Sequence, residues 1–183
     1  MMQPVGKALA RHGLTPNLLT TLSLMVAVGA GISYAFQSPI LGGFTLLFSG
    51  IIDMLDGAVA RATKSVTRFG AVYDHVLDRY VEFFALVGIG LGGFSDWVWI
   101  VFSLFGMIMA SFTRAKAESV GGLRHCTVGV AERQEKLLIL LIGSFLQPLV
   151  TGSLMVAVVV VGILSHATVV QRLHYTYKHT GKK

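Results

Sequence analysis

Five carboxylates crowd one short stretch of this 183-residue chain: Asp53, Asp56, Asp74, Asp78 and Glu82. Asp53 and Asp56 close an otherwise apolar run, and the other three open the next one. Acids set that deep in apolar sequence cost about 2.5 kcal/mol or more each at a membrane helix centre, so they mark function. Their spacing says which function. Residues 53, 56, 57, 60 and 61 follow the i, i+3, i+4, i+7, i+8 rule and share one helix face. Gly70, Asp74 and Asp78 share another. A short connection makes the two helices antiparallel neighbours, so the faces can meet and four aspartates converge. The ligands are then oxygens alone, because Cys126 is remote in sequence and His75 points about 100° from the Asp74 direction. Hard oxygen donors suit Mg²⁺, Mn²⁺ or Ca²⁺. Four of them could hold two divalent ions, an arrangement suited to phosphoryl transfer. Gly57 and Ala60 leave room for a flat group against the backbone, and Arg61 offers a fork that matches phosphate. The plain alternative is a set of ion pairs with Arg61, Arg68 and Arg79, but four acids at paired helical spacings exceed what pairing needs.

The elements that must position these groups follow from the scarcity of charge. Only 13% of residues are charged against 54% hydrophobic, where an ordinary soluble domain carries about 25% charge. Mean hydropathy is +0.70. These values exclude a soluble monomer and a disordered chain. The lone Cys126 excludes a disulfide framework. No charge occurs over the 41 residues His12–Ile52 or over the 35 residues Leu137–Gln171. Each run is long enough for two spans of about 20 residues. Breaks at Gln37-Ser38-Pro39, Gly92-Gly93-Phe94-Ser95 and near Gln147-Pro148 to Gly152 predict six helices. They fall at residues 17–36, 40–62, 69–90, 96–118, 131–146 and 154–173. The expected fold is all-α and integral to the membrane, one domain over residues 1–183. Its six transmembrane helices are preceded by a short basic interfacial helix within residues 1–13. The N-terminus lacks the apolar core and cleavage site of a signal peptide.

With six spans, all 15 Lys and Arg residues fall on the side of the termini, and Asp96 is the lone charge opposite. The positive-inside rule then puts both termini and the acidic hairpin on the cytoplasmic side of a prokaryotic cytoplasmic membrane. The basic net charge of +6 thereby reads as topology, not as nucleic-acid binding.

Asp53-x2-Asp56-Gly57-x2-Ala60-Arg61-x8-Gly70-x3-Asp74-x3-Asp78 resembles, without departure, the signature of the CDP-alcohol phosphotransferases. The resemblance implies an integral membrane enzyme, a homodimer, that moves a phospho-alcohol from a CDP-alcohol to an acceptor hydroxyl and releases CMP. It implies two divalent cations, Mg²⁺ or Mn²⁺, with Asp53 and Asp74 bridging both, Asp56 on one and Asp78 on the other. Asp78 would also take the acceptor's proton. A metal-held carboxylate is a weak base, so the hydroxyl must be polarised as well. Asp56, Gly57, Ala60 and Arg61 would face the CDP-alcohol and Thr67 one of its phosphates. Asn17 and Thr20 match a polar pair that the family uses at the start of its first span. An N-cap is their structural alternative.

A second basic cluster bears on the acceptor. Arg114 and Lys116 end the fourth span, and Arg133 and Lys136 open the fifth. Together they would suit an acceptor that itself carries phosphate. Glu132 and Glu135 would orient those cations or serve as N-terminal helix charges. The pattern is similar to the inositol-phosphate-accepting branch, with Lys136 where that branch often has Arg. The cluster could instead be only the topology signal. A lipid-linked donor is expected, CDP-diacylglycerol or CDP-archaeol, and a soluble CDP-inositol donor is the other possibility. The competing functions are a glycerol-phosphate-accepting enzyme of the same family and a cation channel or transporter. The transporter is disfavoured because its acids belong at the bilayer midplane.

Overall fold

A computed structural model describes residues 3–180, with the side chain of Gln3 excepted. Lys182 and Lys183, counted above among the basic residues, lie outside the described residues. Among the described residues there are seven α-helices and no strand. They are α1 (Gln3–Arg11), α2 (Pro16–Ala35), α3 (Pro39–Thr63), α4 (Arg68–Leu91), α5 (Trp97–Ser119), α6 (Arg133–Leu146) and α7 (Ser153–Thr180). The short leading helix is therefore present, followed by six longer ones.

Helix boundaries follow local chemistry. Thr15 caps α2 by accepting the Leu18 N–H, with Pro16 at the first helical position. Gln37, at φ 56°, turns the chain before Pro39 starts α3, and Lys64 in the left-handed region ends it. Thr67 caps α4 by accepting the Gly70 N–H at 2.9 Å. Glu132 and Glu135 form a reciprocal capping box on α6. This gives both glutamates the helix-end role. One boundary differs from expectation. The last helix runs to Thr180, past the expected end at residue 173, and takes in Lys178. Neither Gly nor Pro occurs over residues 163–180, and long cationic side chains do not stop a helix.

Among the described residues, four of the six longer helices are long and apolar enough to cross a membrane: α2, α3, α5 and α7. The other two fall short for different reasons. α4 has the length, but its first turns carry Asp74, Asp78, Arg79 and Glu82. α6 has only 14 residues, about 21 Å of helix against a hydrocarbon core of about 30 Å. Large apolar side chains such as Met25, Phe36, Phe44, Phe48 and Val98 point outward, as expected where the solvent is lipid. The protein is an all-α, multi-pass membrane protein.

The chain forms two compact units, Met1–Gly92 and Gly93–Lys183. In the first, α2 packs against both α3 and α4, and α1 lies on α3. Ser23 and Ser49 cross-link α2 and α3, each hydroxyl donating to the other's carbonyl at 3.0 and 2.9 Å. Gly31 of α2 meets Gly88 of α4 with no space for a side chain, since a Cβ at Gly88 would run into the Gly31 backbone. In the second unit α7 packs on α5 and α6. The Ser103 hydroxyl donates to the Val158 carbonyl at 2.7 Å, and His166 Nε2 lies 3.1 Å from the Phe102 carbonyl. His166 is thus a helix-to-helix contact.

Candidate active site

The acid faces of the two helices do meet. One ligand oxygen from each of Asp53, Asp56 and Asp74 falls within 4.8 Å of the others, so α3 and α4 bring their acids together. A second group, within the same limit, holds Asp74, His75 and Asp78. Asp74 belongs to both groups, the position a shared ligand would take. Asp56 and Asp78 are buried, at 9% and 7% exposure. Thr20 of α2 donates a short hydrogen bond, 2.6 Å, to Asp56 Oδ2. Such a bond to a carboxylate is among the stronger ones and fixes its rotation. One turn beyond Asp78, the buried Glu82 pairs with Arg79 Nη1 at 2.8 Å. Glu82 therefore stands apart from both ligand groups, held by an ion pair. The donor set, carboxylate oxygens plus one imidazole, fits a hard divalent ion.

A cavity of about 170 Å³ opens beside these acids. It is lined by Asn17 and Thr20 of α2, by Asp56, Gly57, Ala60 and Arg61 of α3, and by Thr67, Gly70 and Asp74 on the α4 side. Every residue expected to face the CDP-alcohol is on that list. At two glycines of the lining a Cβ would make a tight contact. A Cβ at Gly57 would stand 3.0 Å from Arg61 Nη1, and one at Gly70 would press on Thr67 Oγ1 at 3.0 Å. Asn17 does not cap its helix, because Thr15 does. That removes the structural alternative for Asn17, and Thr20 is engaged by Asp56. Ser65 and Val66 also line the cavity and carry no pattern that sequence reading could have used.

The second basic cluster sits on α5 and α6. Arg114 Nε donates to Glu118 Oε1 at 3.2 Å, and Lys116 Nζ lies 5.5 Å over the Phe112 ring. Arg133 is the first residue of α6, and Lys136 is buried one turn on. The segment between α5 and α6 is tied down on both sides. Glu118 Oε1 accepts the Cys126 N–H at 3.0 Å. Arg172 of α7, 6% exposed, donates to the Val128 carbonyl at 2.9 Å and to the Ala110 carbonyl at 2.7 Å. Sequence reading had no signal for Arg172, which looked like one more basic residue at the end of the last span.

The CDP-alcohol phosphatidyltransferase sequence profile matches residues 13–176. The chain belongs to that family. It is therefore a transferase of the CDP-alcohol phosphatidyltransferase family, and the two halves of its signature are the two faces just described. Among its relatives is an archaetidylinositol phosphate synthase of Pyrococcus horikoshii. The two are 36% identical over 177 residues, 97% of this chain and 91% of that protein. A phosphatidylinositol phosphate synthase of Mycolicibacterium smegmatis is 36% identical over 185 residues, 95% of this chain and 82% of that one. The fold is similar to crystal structures of the Mycobacterium tuberculosis phosphatidylinositol phosphate synthase. With CDP-DAG bound, that protein gives a TM-score of 0.85 at 29% identity, covering 97% of this chain and 94% of the other. Its complex with manganese and citrate gives 0.86 at 29% identity, covering 97% and 89%.

Proposed function

We propose that the protein transfers a lipid-linked phospho-alcohol from a CDP-alcohol to a hydroxyl of inositol phosphate, releasing CMP, in phospholipid synthesis. The observation that carries this is the shared wall. Asp56 and Asp74 belong to the acid cluster and also line the cavity that holds Gly57, Ala60 and Arg61. A diphosphate lying there touches the acid cluster and the guanidinium together. The acceptor class follows the relatives, whose names specify inositol phosphate lipids.

Asp53 and Asp74 would bridge two divalent ions, Mg²⁺ or Mn²⁺, with Asp56 completing one and Asp78 the other. Bound ions supply the positive charge that neutralises the diphosphate and its CMP leaving group. The chain's own residues do the rest. Gly57 and Ala60 admit the nucleotide against the α3 backbone. Arg61 and Thr67 hold phosphate oxygens, while Asn17 and Thr20 close the α2 side. The acceptor oxygen bonds to the phosphorus that bears the lipid alcohol, the bond from that phosphorus to CMP breaks, and Asp78 takes the hydroxyl proton. Arg114, Lys116, Arg133 and Lys136 would bind the acceptor's own phosphate. Six spans, a single catalytic domain over residues 1–183, a homodimer, and an active site on the cytoplasmic side complete the reading. Its membrane lipid donor is CDP-diacylglycerol or CDP-archaeol.

The test is CMP release by detergent-purified protein with Mg²⁺ or Mn²⁺ and each CDP-lipid, comparing inositol phosphate, glycerol phosphate and serine. Release that needs inositol phosphate supports the reading. Release with glycerol phosphate alone assigns the protein to the other acceptor class.

A further inference from the structure

His75 is not part of the signature, yet the fold carries its ring to the metal face. Its Nδ1 lies 3.8 Å from Asp74 Oδ2, and with Asp78 these groups form a set whose ligand atoms all lie within 4.8 Å of one another. A separation of 3.8 Å is too long for a hydrogen bond. It falls between the two separations that ligands of one octahedral ion show. At metal–oxygen distances of about 2.1 Å, octahedral ligands sit roughly 3.0 Å apart when adjacent and roughly 4.2 Å apart when opposite. The side chain is 75% exposed, so packing does not hold it there and a small rotation costs little. The register points the same way. His75 and Asp78 are three apart on one helix, the same spacing, in the opposite order, as the carboxylate and histidine by which helix bundles hold paired metal ions.

We infer that His75 is a nitrogen ligand of the metal centre, joining Asp74 and Asp78 on the second ion and biasing that position toward Mn²⁺ over Mg²⁺. Imidazole contributes more to a transition ion than to Mg²⁺, which prefers oxygen and keeps its water. The inference rests on the proposed reaction only for the presence of two ions, and binding alone can test it.

The experiment loads detergent-purified wild type and His75→Gln with Mn²⁺ in nitrogen-free buffer and records electron spin-echo modulation from ¹⁴N. Both proteins share every other histidine, which serves as the common background. The expected result is ¹⁴N modulation in the wild type that is lost in His75→Gln, while the carboxylates still bind the ion. The Mn²⁺ dissociation constant should rise about tenfold, and that for Mg²⁺ by less than about twofold. Equal modulation in the two proteins, or equal weakening of both ions, overturns the assignment. CMP release on the same samples separates the two ideas. Turnover without a nitrogen signal removes His75 and leaves the reaction. A nitrogen signal without turnover leaves the ligand and removes the reaction.

Discussion

Thr20 and Asp78 show how much of this site depends on single atoms. The Thr20 hydroxyl is 2.6 Å from the carboxylate of Asp56, a buried residue. Thr20→Val keeps the shape and deletes the donor. Metal affinity should then fall about 10- to 100-fold, as when an outer partner of a ligand is lost. Raising Mn²⁺ in the CMP-release assay should recover much of the rate, and an unchanged metal requirement would show that Thr20 does not tune Asp56. Under the proposed roles, Asp78→Asn should instead cost about 100-fold or more at any metal concentration, because proton removal and a metal contact would go together. If CMP release in Asp78→Asn equals the wild type, Asp78 is not the base. Removing the ions with a chelator should stop the reaction in the wild type and be reversed by Mn²⁺.

At the scale of the helix, the contact of Gly31 with Gly88 sets how closely α2 and α4 approach. Gly88→Val should destabilise the protein by about 1–3 kcal/mol through overpacking, read as a lower midpoint of thermal unfolding in detergent. Gly50→Ala, where a Cβ would meet nothing within 4 Å, should leave the midpoint unchanged. Arg172→Met would remove the guanidinium that ties the Val128 carbonyl to the Ala110 carbonyl of α5 and should speed proteolysis between α5 and α6. The helices and their breaks were readable because Pro39, the glycine turns and the charge-free runs act locally. Asp53, Asp56, Asp74 and Asp78 were readable because a helix converts spacing into direction. What failed was whatever needed a side chain's reach or a neighbour. His75 was set aside on its angle about α4, yet an imidazole is long enough to swing across that angle. The final turns of α7 were missed because cations were taken as an end signal. Arg172 was missed because its acceptors come from α5 and a distant segment, and nothing in its own neighbourhood announces them.

At the scale of the molecule, both acid groups and the whole cavity beside them lie within Met1–Gly92. Arg114, Lys116, Arg133 and Lys136 all lie within Gly93–Lys183. If the proposed roles hold, a chimera that keeps residues 1–92 and takes the remainder from a glycerol-phosphate-accepting member should still release CMP from CDP-lipid. Its acceptor should now be glycerol phosphate, measured by the head group on the lipid product. A chimera that folds yet keeps inositol phosphate would place acceptor choice in the first half. The boundary at residues 92 and 93 also has a meaning for descent. Under the proposed roles, a lineage can hold its reaction constant and diversify its products by letting one end of the gene drift while purifying selection guards the other.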